Sequence, residues 1–114
     1  MVINRGEVWW AELPAPSGSE PGYRHPVAVV QSNEFNRSLI NTVIVAVITT
    51  NINLSQAPGN ILLPKRISRL PKDSVINVSQ VLTIDKDFLI HRISRLPDDI
   101  INEIEDGLRL VLSL

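Results

Sequence analysis

The chain has 114 residues, no cysteine, eight prolines and a formal net charge of -1, with 44% apolar residues. A chain of this length forms one domain, residues 1–114, able to bury about two thirds of its unfolded surface without staples. The missing cysteines exclude disulfides and thiolate metal sites and fit a reducing cytoplasm, while the charge excludes a general nucleic-acid coat.

The average charge hides an asymmetry. Residues 1–96 carry +3 and residues 97–114 carry -4, so a basic body bears an acidic end. The first residues contain no apolar leader, and the longest apolar run, 43–48, is far short of a membrane span, so the expectation is a cytoplasmic protein without a membrane segment.

Residues 7–13 read as a first strand, with Val8 and Trp10 on one face and Trp9 on the other. One indole belongs to the core; the other is free to cover an interface or stack on a base, with packing the more usual role. Pro14 and Pro16 end this strand. The run 18–31, G-S-E-P-G-Y-R-H-P-V-A-V-V-Q, then joins a turn-rich polar loop to a strand covered on both faces. Ser19, Glu20, Tyr23, Arg24 and His25 crowd this loop, a set of side chains suited to work on a phosphate. Polar loop residues are often merely solvated, and the loop alone leaves both readings open.

Residues 32–41 are polar and turn-prone, with Phe35 and Leu39 expected to tuck back onto the core. The β-branched run 42–48 reads as a central strand that stops at Thr49, Thr50 and Asn51. A long loop spans 51–59 and a short strand 60–64. The segment 65–72 holds four cations, and its R-I-S-R-L-P recurs at 92–97. Two copies of a hexamer do not make a repeat architecture, and the recurrence reads as coincidence. Residues 74–84 form a long strand whose apolar pattern Asn77, Ser79 and Gln80 interrupt; a turn follows, then a last strand over 89–94 that carries His91 in a structural role. Pro97 suits a first helical position, with Asp98 and Asp99 favourable to the helix dipole. Ile100, Ile101, Ile104, Leu108, Val111 and Leu112 make one apolar stripe that packs this helix on the strands.

The opening R-G-E-V-W-W-A-E-L, the G-S-E-P-G-Y-R-H-P-V-A-V-V-Q-S-N run, the strand end V-I-V-A-V-I-T-T-N and the block D-S-V-I-N-V-S-Q-V-L-T-I-D together resemble the MazF/PemK family of toxin endoribonucleases over nearly the whole chain. The resemblance implies a mainly β fold, an SH3-like β-barrel with a C-terminal amphipathic helix. It also implies a homodimer, a cognate antitoxin as partner, and sequence-specific cleavage of single-stranded RNA to a 2′,3′-cyclic phosphate and a 5′-hydroxyl, without metal or other cofactor. Thr49 matches the threonine that contacts the scissile phosphate, and Gln80 a glutamine near the RNA groove. The sequence departs from the family at one place: His25 stands before Pro26 where arginine is usual, and Arg24 lies one position earlier.

The residues themselves support metal-free chemistry, since there is no His-x-x-x-His pair, no cysteine set and no G-x-S-x-G elbow. Breaking RNA through its own 2′-hydroxyl needs a proton acceptor, a cation for the crowded phosphorane and an acid for the 5′-oxygen. Arginine is effectively never deprotonated, so Arg24 is assigned charge stabilisation, His25 proton transfer and Thr49 phosphate positioning. Ser19, Glu20, Thr50 and Gln80 are the candidate RNA contacts. A same-fold toxin or interaction module that binds a protein such as gyrase, without cleaving RNA, is the alternative.

Overall fold

The structure, a computed structural model, describes residues 1–13 and 23–114. The candidate contacts Ser19 and Glu20 lie outside the described residues. Six strands, β1 (Glu7–Leu13), β2 (Tyr23–Val29), β3 (Thr42–Thr49), β4 (Ile61–Leu63), β5 (Ser74–Asp85) and β6 (Leu89–Arg95), make one antiparallel sheet in the order β4, β5, β3, β2, β1, β6. Three helices accompany it: α1 (Asn33–Asn36), α2 (Lys65–Ser68) and α3 (Asp98–Leu112).

Side chains alternate across the sheet into two cores. Val8, Ala28, Ala46, Ile48, Ile76 and Leu96 pack on one face with Ile100 and Ile104 of α3. Trp9, Ala11, Val27, Val29, Val43 and Val45 fill the other face. Burial on both faces is why Val27, Ala28 and Val29 run apolar without alternation. The sheet curls as a half-barrel with β4 and β6 at its edges, and α3 covers one side. This is the SH3-like barrel with a terminal helix that the family resemblance implies.

The polar interruption of β5 is a bulge. Ala46 pairs with Val81 but Val47 with Asn77, so three residues of β5 lie between consecutive partners on β3. Its backbone and side chains satisfy one another: the Ser79 hydroxyl and amide donate to Asn77 Oδ1 at 2.7 and 3.3 Å, Asn77 Nδ2 donates to Gln80 Oε1 at 3.1 Å, and the Val78 amide donates to Asn60 Oδ1 at 3.0 Å. Such a bulge bends the strand and sharpens the curl of the sheet.

Several sequence expectations are corrected. Phe35 and Leu39 do not tuck inward and are 56% and 98% exposed. A reciprocal amide pair holds that segment instead: Gln31 Nε2 donates to Asn36 Oδ1 at 3.0 Å while Asn36 Nδ2 donates to the Gln31 carbonyl at 3.1 Å, with both residues buried. Once that pair satisfies the local backbone, no apolar anchor is needed. His91 is exposed on β6 rather than structural. Pro97 stands one residue ahead of α3, its carbonyl accepting from the amides of Ile100 and Ile101. The stripe of α3 is covered only in part: Ile100 and Ile104 are buried, whereas Val111 and Leu112 are exposed. Among the described residues no helix is long and apolar enough to cross a membrane.

The helix meets the sheet through Gly107, which is buried where α3 crosses Gly59. A Cβ at Gly107 would lie 2.3 Å from the Gly59 carbonyl oxygen, a backbone atom that no side-chain rotation moves. Alanine is the better helix former by about 1 kcal/mol. The clash reverses that preference, so we expect Gly107→Ala to destabilise the protein by roughly 1–3 kcal/mol, read as a lower urea midpoint.

Candidate active site

The site begins where β2 and β3 part. β2 pairs with β1 from Val8 opposite Ala28 to Leu13 opposite Tyr23. Its pairing with β3 ends at Val27 opposite Val47. The Val30 amide donates to the Ile44 carbonyl, on the β3 side, and the Val29 carbonyl accepts from Gly6, on the β1 side. Backbone groups alternate along a strand, so those of Pro26 turn to β3, and proline has no amide hydrogen to offer there. The ladder stops and the strands open.

The opening is a cleft of about 300 Å³ lined by Trp10, His25, Thr49, Thr50, Lys72 and Ser74, with Pro26, Ile48, Leu70 and Pro71 as its apolar part. Three segments supply the walls: β1 with the start of β2, the end of β3, and the turn between α2 and β5. No carboxylate lines it among the described residues. Nor do three His, Asp or Glu side chains converge as metal ligands anywhere among them.

His25 lies half-buried in this cleft, and its Nε2 is shielded from solvent with no hydrogen-bond partner among the described residues. Burial lowers its pKa from the ordinary 6.5, and a hydrogen bond with the Ile48 backbone partly opposes that shift. The imidazole is therefore neutral near pH 7 and able to take a proton. The Thr49 Oγ1 accepts from the Asn51 amide at 3.1 Å, which leaves the hydroxyl hydrogen to donate to a ligand.

Arg24 and His25 are neighbours on a strand and so point to opposite sides. His25 lines the cleft directly. Arg24 is exposed and sets its guanidinium 5.0 Å from the centre of the Trp10 ring, which is itself a wall of the cleft. The cross-strand pairs Glu12 with Arg24 and Trp10 with Pro26 bring these two side chains onto one face. Trp10 is the half-buried indole and Trp9 the core one, whose Nε1 donates to Glu7 Oε1 at 3.1 Å.

Of the sequence candidates, His25, Thr49 and Thr50 line the cleft together, and Arg24 reaches it only by way of Trp10. Gln80 does not line the cleft: it lies in the bulge of β5, beside the step from Val47 to Ala46, where its Oε1 accepts from Asn77 Nδ2. Sequence reasoning passed over Ser74 and reached Lys72 only as part of the basic segment 65–72. Lys72 had a signal, as the last cation of the basic segment, but nothing in the order of residues distinguished it from Lys65 or Arg66. Ser74 is buried, its hydroxyl donating to the Lys72 carbonyl at 3.0 Å, and had no signal.

The family described as the PemK-like, MazF-like toxin of type II toxin-antitoxin systems matches residues 4–112. Endoribonuclease MazF6 of Mycobacterium tuberculosis (strain H37Rv) is 48% identical over 114 residues, covering 100% of both chains, and Endoribonuclease MazF2 of Mycobacterium bovis is similar to the same extent. Among solved structures, MazF from Deinococcus radiodurans is similar with a TM-score of 0.82 at 18% identity, covering 100% of this chain and 99% of that one. An endoribonuclease in complex with its cognate antitoxin, from a mycobacterial species, is similar with a TM-score of 0.78 at 22% identity, covering 98% and 96%.

The state of His25 is directly measurable. Its ring proton resonances should titrate with a midpoint below 6.5. A histidine with a depressed folded pKa contributes stability above its unfolded pKa and loses it as pH falls, because the unfolded chain takes the proton first. Stability should thus decline from about pH 7 towards pH 5, and His25→Gln should flatten that part of the curve; a midpoint at or above 6.5 would refute the shift.

Proposed function

This chain belongs to the PemK-like, MazF-like toxin family of type II toxin-antitoxin systems and is an endoribonuclease toxin of that kind, and we propose that it cleaves single-stranded RNA in the cleft of His25 and Thr49 without a metal ion. The observation that carries the assignment is the buried Nε2 of a neutral imidazole, unpartnered among the described residues and set among hydroxyls and cations with no carboxylate lining the cleft among those residues. Such a pocket accepts a proton and a phosphate together.

In this reading His25 takes the proton of the 2′-hydroxyl as the 2′-oxygen bonds to phosphorus. The bond from phosphorus to the 5′-oxygen breaks, and that oxygen takes a proton from solvent or from the imidazolium. Arg24 and Lys72 stabilise the charge gathering on the phosphorane, and the Thr49 hydroxyl donates to a non-bridging oxygen. The products are a 2′,3′-cyclic phosphate and a 5′-hydroxyl. Imidazole at position 25 takes the place that arginine usually holds, and Arg24 supplies the guanidinium from its seat on Trp10. Thr50 and Trp10 are placed to contact flanking nucleotides, the indole by stacking. Ser19, Glu20 and Gln80 are proposed RNA contacts beyond the cleft. The toxin works on cytoplasmic RNA as a homodimer, and a cognate antitoxin silences it.

Cleavage of a long RNA should survive excess chelator unchanged; loss of activity that added magnesium restores would sink the metal-free reading. We expect His25→Ala to lose roughly 10²- to 10⁴-fold in rate and Arg24→Ala or Thr49→Ala about 10²-fold. With His25 as base, the rate should be level above pH 6.5 and fall only below it. Full activity in the double variant Arg24→Ala, His25→Ala would remove both residues from the mechanism. Light scattering at micromolar concentration should return twice the 12.7 kDa chain mass, and a monomer there would count against the dimer.

A further inference from the structure

The hexamer R-I-S-R-L-P occurs at residues 66–71 and again at 92–97, and the fold lays the two copies against each other. The first runs from α2 into the turn after it; the second ends β6. They touch through the same position in each copy, the Ser94 hydroxyl donating to the Ser68 carbonyl at 2.6 Å, with both serines buried. The leucines of both copies, Leu70 and Leu96, enter the same core.

Between the copies lies a pocket of about 380 Å³ lined by four arginines, Arg66, Arg69, Arg92 and Arg95, beside Ile67, Ile93 and Ser94. Only part of this charge is answered. Arg92 bonds the buried Glu7 at 3.1 Å, and Arg95 reaches the exposed Asp98 at 3.8 Å. Arg66 and Arg69 make no ion pair with any described residue. Arg69 also holds a left-handed backbone, φ 65°, in closing α2, a conformation a non-glycine residue seldom adopts. Four like charges gathered in a concave site, two of them without a counter-charge, call for an anion, and paired forks suit the oxygens of phosphate.

The pocket adjoins the cleft. Arg66 and Arg69 line the first, while Leu70, Pro71 and Lys72, the next residues along the chain, line the second. We propose that this four-arginine pocket binds backbone phosphates of the same RNA strand whose scissile phosphate occupies the cleft. It is a second, sequence-independent anchor, and it rests on the endoribonuclease reading above. An acidic protein segment fits the lining less well, since a peptide that folds on binding relies on apolar anchors and only two isoleucines are offered here.

The test uses 2′-O-methyl RNA, which lacks the free nucleophile and so binds without being cut, in strands of about 4 and about 12 nucleotides. The full-length protein should hold the longer strand about tenfold more tightly, with a steeper salt dependence. Arg66→Gln with Arg69→Gln should abolish most of that length advantage and lower the salt slope by roughly 0.7 for each phosphate that is no longer neutralised. Arg95→Gln, which gives up the ion pair with the exposed Asp98 and a long bond to the Leu96 carbonyl, serves as an independent variant and should reduce the same ratio. A length advantage and salt slope equal to wild type in both variants would overturn the proposal while leaving the endoribonuclease assignment intact, provided wild type cleaves RNA. Failure of the wild-type protein to cleave or bind any RNA would instead remove both. Polyglutamate that competes for wild type but not for the variants, with the RNA length advantage unaffected, would reassign the pocket to an acidic peptide and likewise overturn it.

Discussion

A missing hydrogen decides where this molecule has a site. Pro26 sits in an interior strand, where proline is normally excluded, and its absent amide falls on the β3 side. β2 therefore stays paired to β1 but parts from β3, and the side chains at the parting face a cleft instead of a neighbouring strand. His25 gains its half-burial, an Nε2 unpartnered among the described residues and its bond with the Ile48 backbone from that one interruption. Thr49, at the end of β3, faces the same opening while β5 holds it through its pairing with Val75.

A cleft between strands keeps its shape only if the strands are fixed elsewhere, and buried polar contacts do much of that work. Glu7, almost wholly buried, accepts from the Asn4 amide at 2.8 Å, from Trp9 Nε1 and from Arg92, so it ties the start of β1 to β6. Arg5 donates to the Val30 carbonyl and pairs with Glu105 of α3, joining the helix to the end of β2. Removing Arg92 would be costly on the Glu7 side, because that carboxylate is buried and would lose its counter-charge. The backbone contact of Gly107 with Gly59 then seats α3 close to the loop before β4. These contacts surround the cleft without entering it, so its polar residues are free to meet a ligand.

The charge of the chain follows the same division of labour. Acidic residues collect on α3, where Asp98 and Asp99 suit the helix N-terminus. Cations collect at the cleft, as Arg24 and Lys72, and in the four-arginine pocket next to it. A net charge near zero is thus compatible with binding a short stretch of RNA backbone, because the phosphates meet a local surplus rather than an average.

Periodicity and turn chemistry in the sequence determined the strands, the terminal helix and the buried pair of faces on β2, since each depends on neighbours a few residues apart. The crowding of Arg24 and His25 before a proline, and of two threonines at a strand end, was legible for the same reason. Strand order was not legible, and so neither was the meeting of these two groups with Lys72 and Ser74 from a third segment. The exposure of Phe35 and Leu39 goes with an amide pair, Gln31 with Asn36, that no apolar pattern encodes. The recurring hexamer is the sharpest case: along the chain its copies stand apart as a chance repeat, and only the long-range pairing of β6 with β1, together with the seating of α2 on β6 through Ser68 and Ser94, brings their arginines around one pocket.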